Sequence, residues 1–238
     1  MRKLVLLTVV LLLPAAVNLS PAGAAVLDLT TAGSSGTINN ARFYQFDEIP
    51  TGSGLIDSFL RIQGKGIQQG YNTDGTTEFQ TMSSFTHSIQ LSVVPTPYID
   101  GIYYREFLLD INQDGQRFLS VDDIKIYLDA APNISGWPDN FSTPLYNLDA
   151  GEDNWITLDK VLNPGSGHGD MLALIPNDLF TGLESQYVYV YAKCGEHFIA
   201  DDGFEEFAYG TQGPLIPEPA TIMLLGLGAL VLLRKRRP

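Results

Sequence analysis

Between residues 41 and 191 the apolar side chains return at every second position in short runs. This alternation, and not any helical spacing, sets what the chain can fold into. Residues 187–191 read Tyr-Val-Tyr-Val-Tyr, which has both the composition and the period of a strand. Residues 88–94 put Ile89, Leu91 and Val93 on one side; residues 103–111 put Phe107 and Leu109 on one side; residues 124–128 alternate again. Residues 41–46, 55–62, 155–158 and 171–175 are similar apolar runs. A strand sends successive side chains to opposite faces, so each run predicts a strand with one face on a core. The segments between them carry turn formers: Thr-Gly-Ser-Gly at 51–54, Asn-Thr-Asp-Gly at 72–75, Pro132-Asn133 and Asn163-Pro164-Gly165. Many short strands joined in this way predict an all-β fold, an antiparallel β-sandwich of jelly-roll-like form. Residues 121–128 also fit a short helix, so periodicity alone leaves that segment ambiguous.

The two ends have a different character. Arg2 and Lys3 precede an apolar run over residues 4–13, and Ala22-Gly23-Ala24 then offers an A-x-A site. This predicts a secretory signal peptide over residues 1–24, with Ala22 and Ala24 as its cleavage residues. At the other end, residues 217–238 read PEPATIMLLGLGALVLLRKRRP. Pro217 and Pro219 fix their φ and hold the tripeptide extended around Glu218. The uncharged residues 220–233 would form a helix of roughly 21 Å, short of the ~30 Å hydrocarbon core. Arg234, Lys235, Arg236 and Arg237 would stay on the cytoplasmic side and snorkel to the interface.

Pro-Glu-Pro, a short apolar helix and an Arg-rich end, in this order at the terminus, resemble the PEP-CTERM sorting tail of Gram-negative bacteria. The resemblance implies recognition by exosortase, a membrane protease, with processing near Pro217, Glu218 and Pro219. It further implies export by the secretion machinery, a transient inner-membrane tether, and delivery to the cell surface or an extracellular matrix. Three parts are therefore expected: a signal peptide over 1–24, a sandwich body over 25–213 and a sorting tail over 214–238. The body stretches YREFLLDINQ, LSVDDIKIYL, NPGSGHGDM, YVYVYAKCG and DDGFEEFAYG also resemble a body type that recurs among exported PEP-CTERM proteins, to which no activity attaches.

The body holds eight Lys and Arg against 26 Asp and Glu, a net charge near −18. Nucleic acid is an unsuitable partner, because its binding rests on neutralising phosphates with Lys and Arg. Anionic membrane surfaces are equally disfavoured, and divalent cations are attracted. The single cysteine, Cys194, leaves no intramolecular disulfide and reads as a structural thiol.

The sharpest candidate for chemistry is Asp110-Ile111-Asn112-Gln113-Asp114-Gly115. Oxygen-bearing side chains at alternate positions of a loop, with a glycine for the turn, can wrap Ca²⁺. The string resembles the start of an EF-hand or dockerin loop. The closing acid is displaced: the twelfth position is Val121, and Asp122 would have to be brought in by a bulge. Asp110, Asn112, Asp114 and Asp122 are the candidate ligands, against the plainer reading of a hairpin turn. Residues 165–170 loosely resemble a glycine-rich calcium repeat but read better as a loop. Asp149, Glu152 and Asp153, and Asp201, Asp202, Glu205 and Glu206, could supply paired carboxylates for glycoside hydrolysis. In so acidic a body they read first as solvated loops. Trp137, Trp155, Tyr71, Tyr98, Tyr103 and Tyr104 could stack on sugar rings, although most aromatics of a sandwich belong to its core. His87, His168 and His197 show no metal-binding spacing, and no nucleophile elbow, phosphate loop or dinucleotide fingerprint occurs.

The expectation is thus a non-catalytic, exported surface or matrix protein associated with exopolysaccharide and no enzyme. The alternatives are a glycoside hydrolase acting on that polymer and a calcium-dependent assembly module of dockerin type.

Overall fold

A computed structural model of the chain describes residues 23–46, 57–79, 81, 84–164 and 169–209. The expected signal helix, the apolar tail helix, Ala22, His168 and the sorting residues Pro217, Glu218, Pro219, Arg234, Lys235, Arg236 and Arg237 lie outside them. Among the described residues no helix is long and apolar enough to cross a membrane.

The strands follow one another as β1 (Val26–Asp28), β2 (Ser35–Ile38), β3 (Ala41–Gln45), β4 (Asp57–Gly66), β5 (Gln68–Tyr71), β6 (Ile89–Gln90) and β7 (Tyr98–Ile99). Then come β8 (Ile102–Asn112), β9 (Phe118–Asp129), β10 (Tyr146–Asn147), β11 (Trp155–Asp159), β12 (Met171–Pro176), β13 (Tyr187–Cys194) and β14 (Ala200–Tyr209). They form two seven-stranded sheets among the described residues. The first runs β1-β11-β9-β13-β5, with β10 on β9 and β6 on β13; the second runs β2-β3-β12-β8-β14-β4, with β7 on β8. The pairings are antiparallel apart from β1 on β11. Over the described residues the chain is therefore all-β, and the alternation seen in the sequence is the alternation of these strands.

The two sheets share one core. Phe43, Phe107, Leu109 and Phe207 from the second sheet join Leu119, Ile126, Ile156, Val188 and Val190 from the first in a single buried cluster. Apolar residues also occupy part of each outer face. On the second sheet Tyr104, Leu108, Leu172 and Leu174 cluster together. On the first, Tyr71, Tyr127, Tyr189 and Tyr191 form an aromatic platform roofed by Ile134, Trp137 and Phe141. Tyr-Val-Tyr-Val-Tyr thus splits cleanly: its valines enter the core and its tyrosines face the platform. Trp137 lies flat on Tyr191, with ring centroids 3.9 Å apart and planes 9° from parallel. Each such aromatic pair adds about 0.5–1.5 kcal/mol beyond its burial.

Two segments depart from the sequence reading, and a third, which fits either strand or helix in the sequence, is a strand. Residues 88–94 are a strand only at Ile89–Gln90 and then a 3₁₀ turn at Leu91–Val93. The buried Arg105 draws the chain inward there, donating to the carbonyls of Leu91 at 3.0 Å and Val94 at 3.1 Å. Residues 121–128, which also fit a helix, lie entirely within β9. Asp201, Asp202, Glu205 and Glu206, read as a solvated loop, belong to β14, which sits between β8 and β4; Glu205 and Glu206 are 0% and 4% exposed. The alternation of this strand is broken by a bulge between Asp201 and Phe204, which hid it.

Candidate functional site

A groove of about 600 Å³ opens where the β2–β3 hairpin of one sheet meets β10 of the other. The hairpin turns on Asn39 and Asn40, both left-handed with φ of 48° and 67°. Asparagine tolerates that region, and two such residues in succession suit a two-residue hairpin. Asn39 Nδ2 then donates to the carbonyls of Asn147, at 3.0 Å, and Leu148, at 2.7 Å. Tyr146 Oη donates to the Ile38 carbonyl at 3.1 Å. The turn is thereby fastened across the gap between the sheets.

Asn40, Arg42, Tyr104, Asn147 and Asp178 bring polar groups to the groove, and Ile102 and Leu179 supply apolar surface. Arg42 donates from Nη1 to Asp100 Oδ2 at 2.6 Å, and its guanidinium stands 5.3 Å over the Tyr104 ring. That bond to Asp100 raises the arginine's pKa further above its ordinary value. Ile102 and Tyr104 face the groove, so Tyr103 points to the other face of its strand. There it meets Tyr98, with centroids 4.6 Å apart. Both tyrosines are more than half exposed, at 59% and 56%. The Asp100-Gly101 turn that carries them has φ of 52° and 86°, again suited to a tight hairpin. The groove's amides, paired arginine and carboxylate can hydrogen-bond hydroxyls, and the exposed tyrosine pair on the other face of the strand can stack on a ring.

Of the six aromatics considered from sequence, Tyr98 and Tyr103 are the exposed pair. Tyr71 and Tyr104 are buried, and Trp137 belongs to the platform. The groove's asparagines carry no chemical motif in the sequence. Asn39-Asn40 between two short alternating runs was the available signal.

The proposed calcium ligands occupy different settings. Asp110 is in β8 and fully buried; its neighbours Leu109 and Ile111 enter the main core, so Asp110 shares the outer face with Leu108. Its cross-strand partner is Glu206, which is held by Arg61 Nε at 2.8 Å. Asn112 ends β8, and Asp114 lies in the exposed connection to β9. That connection surrounds a carboxylate: the amides of Asp114 (at 2.8 Å), Gly115 and Gln116 all donate to Asp201. Burial alone would raise the pKa of Asp201, but the amides of Gln116, Asp114 and Gly115 outweigh it and leave the group below its ordinary value.

Asp122 sits at a bulge in β9. The pairing with β13 passes from Asp123↔Lys193 to Val121↔Cys194, skipping Asp122. Core residues accordingly switch from Leu119 and Val121 to Ile124 and Ile126. The bulge turns Asp122 toward the 196–198 turn. Its Oδ2 accepts from the Glu196 amide at 2.7 Å and from Ser120 Oγ at 3.0 Å, and its Oδ1 meets His197 Nδ1 at 2.8 Å. Among the described residues, no three or more His, Cys, Asp or Glu side chains are grouped to hold a metal.

Glu205 points inward between the sheets. It accepts from Gln68 at 2.6 Å, Gln113 at 2.5 Å and the Asn112 amide at 2.9 Å. Burial pushes it up to about 8 against these bonds. Cys194 is fully buried, and burial raises its thiol well above its ordinary value, which suits a packing role. In the cluster of Asp149, Glu152 and Asp153, the last two are exposed.

Residues 215–237 match the PEP-CTERM protein-sorting motif. No curated protein and no solved structure matches the chain. The sorting tail expected from Pro217 to Arg237 is thus present.

Proposed function

We propose that this is a non-catalytic, exported surface or matrix protein that exosortase processes at its C-terminus and whose body binds exopolysaccharide in the β2–β3 groove. The match at residues 215–237 carries the export and sorting. The body is a jelly-roll-like sandwich of the recurring exported type, released from its signal peptide after Ala24 and held transiently by the apolar tail. The groove supports polysaccharide as its ligand: amides and a balanced Arg42–Asp100 pair suit neutral hydroxyl-rich rings. Its described lining has one carboxylate, Asp178, where glycoside hydrolysis uses two. This favours binding over cleavage.

The test is co-sedimentation of residues 25–213 with exopolysaccharide of the producing strain, with calcium and with EDTA, followed by sizing of the polymer. Retention should be lost in Asn40→Gly, which keeps the left-handed turn while removing the amide, and in Arg42→Ala. A shortened polymer would make the protein a hydrolase. Retention lost in EDTA would add a calcium requirement. Retention unchanged in both variants would remove the groove from the reading.

A further inference from the structure

His197 carries an arrangement that polysaccharide binding does not use. Its ring lies flat on Trp155, with centroids 4.4 Å apart and planes 10° from parallel. A carboxylate only accepts, so the bond to Asp122 Oδ1 places the hydrogen of neutral His197 on Nδ1. Asp122 is itself buried and fixed by Ser120 and the Glu196 amide. Ser120 Oγ in turn accepts the amides of His197 at 3.1 Å and Phe198 at 2.9 Å. Orientation and tautomer are therefore both set, and the lone pair of Nε2 is directed outward. It faces Asp153 Oδ2 at 4.0 Å. The histidine side chain is 30% exposed and the aspartate 72%.

With the imidazole neutral, two electron-pair donors face each other at this distance, an arrangement that a proton on Nε2, a bridging water or a cation between them relieves. From this geometry we infer that His197 Nε2 and Asp153 form a two-ligand site for a divalent cation of the zinc and copper class, its remaining positions filled by water. An imidazole nitrogen beside a carboxylate selects such ions over calcium, which prefers an all-oxygen shell. The Asp122–His197 bond is the outer-shell support that metal-binding histidines ordinarily have. Ligand separation need only close by about 1 Å for both atoms to reach bonds of 2.0–2.2 Å to one ion, and the exposed Asp153 can move that far. The acidic body raises the local concentration of divalent ions. No ligand spacing announces the site, because Asp122, Asp153 and His197 come from β9, the approach to β11 and the β13–β14 turn.

The test is titration of the full chain with Zn²⁺ by calorimetry, with histidine ¹⁵N spectra and Cu²⁺ quenching of tryptophan emission alongside. The expected result is one equivalent of Zn²⁺, a shift of the His197 Nε2 resonance with Nδ1 retaining its proton, and quenching that Trp155→Phe removes. His197→Ala should abolish binding, Asp153→Asn should weaken it several-fold, and Asp122→Asn should weaken it about tenfold while leaving both ligands in place. Calcium should produce none of these changes. Absence of zinc binding would overturn the proposal. So would binding that survives His197→Ala, or an Nε2 resonance that responds to protons alone.

Discussion

Asp170 Oδ2 accepts the amide of Ile111 at 2.8 Å, at the head of β12 and beside β8. Asp170 N donates to the Leu109 carbonyl at 2.7 Å. This places Asp170 next to Asp110 in a row that continues through Glu206 to Arg61 across four strands. Asp170, Asp110 and Glu206 are 3%, 0% and 4% exposed. Burial pushes the Asp170 carboxyl up to about 9, with Asp110 and Glu205 adding to it, while burial also lifts Glu106 to about 7.

These groups make stability depend on pH with a definite sign. Asp170, Glu205 and Glu106 hold their protons in the folded state well above the pH at which the unfolded acids, near 4, lose theirs. Their contribution is complete below about pH 4 and falls as the pH rises toward about 9, by about 1.4 kcal/mol per decade for each proton retained. The urea midpoint should decline from pH 5 to pH 9, and Asp170→Asn should flatten the alkaline part. A midpoint that is level or rising over that range would contradict this account.

The opposite sign applies to Asp201, whose pKa is lowered in the fold. Its contribution is present above pH 4 and is lost as the pH falls through its folded value. Asp201→Ala removes the acceptor of three amides and should cost about 1–3 kcal/mol. Amide resonances of Asp114, Gly115 and Gln116 should shift upfield together. A shift of only one would mean that the three amides do not share the carboxylate.

Trp137→Ala should cost about 2–3 kcal/mol, somewhat less than the 3–5 of a fully buried aromatic. The indole is half-buried and touches Tyr71, Tyr127, Phe141 and Tyr191. Its amide also donates to Glu78 Oε1 at 2.5 Å, and that backbone bond survives the substitution. Chemical denaturation measures the loss; a change under about 0.5 kcal/mol, the size of an ordinary surface substitution, would show that the roof of the platform is not packed.

At Gly203, in the β14 bulge, a Cβ would fall on the backbone carbonyl of Asn112. Neither chain can withdraw, since Phe204 pairs with Asn112 and Glu205 holds the Asn112 amide. Gly203→Ala should destabilise by about 3 kcal/mol or more. A melting temperature equal to that of the parent protein would refute the close approach.

What the sequence determined by itself was local. Alternation over residues 187–191 marks a strand whatever it pairs with, because a pleat sorts side chains by parity. The tail from Pro217 to Arg237 is likewise legible, because it is read as a linear signal. The tertiary structure decided what the strands meet. Glu205 looks like a solvated acid in Asp-Asp-Gly-Phe-Glu-Glu, and only its bond to Gln68, 137 residues away, shows it to be buried. Asp122 reads in the sequence as the late ligand of a calcium loop, and the fold sets it at a bulge against His197, 75 residues further on. Asn39 joined the groove by reaching Leu148, 109 residues distant. Burial, charge state and chemistry at these positions depend on pairings between remote strands, and a two-residue period carries no information about which strands those are.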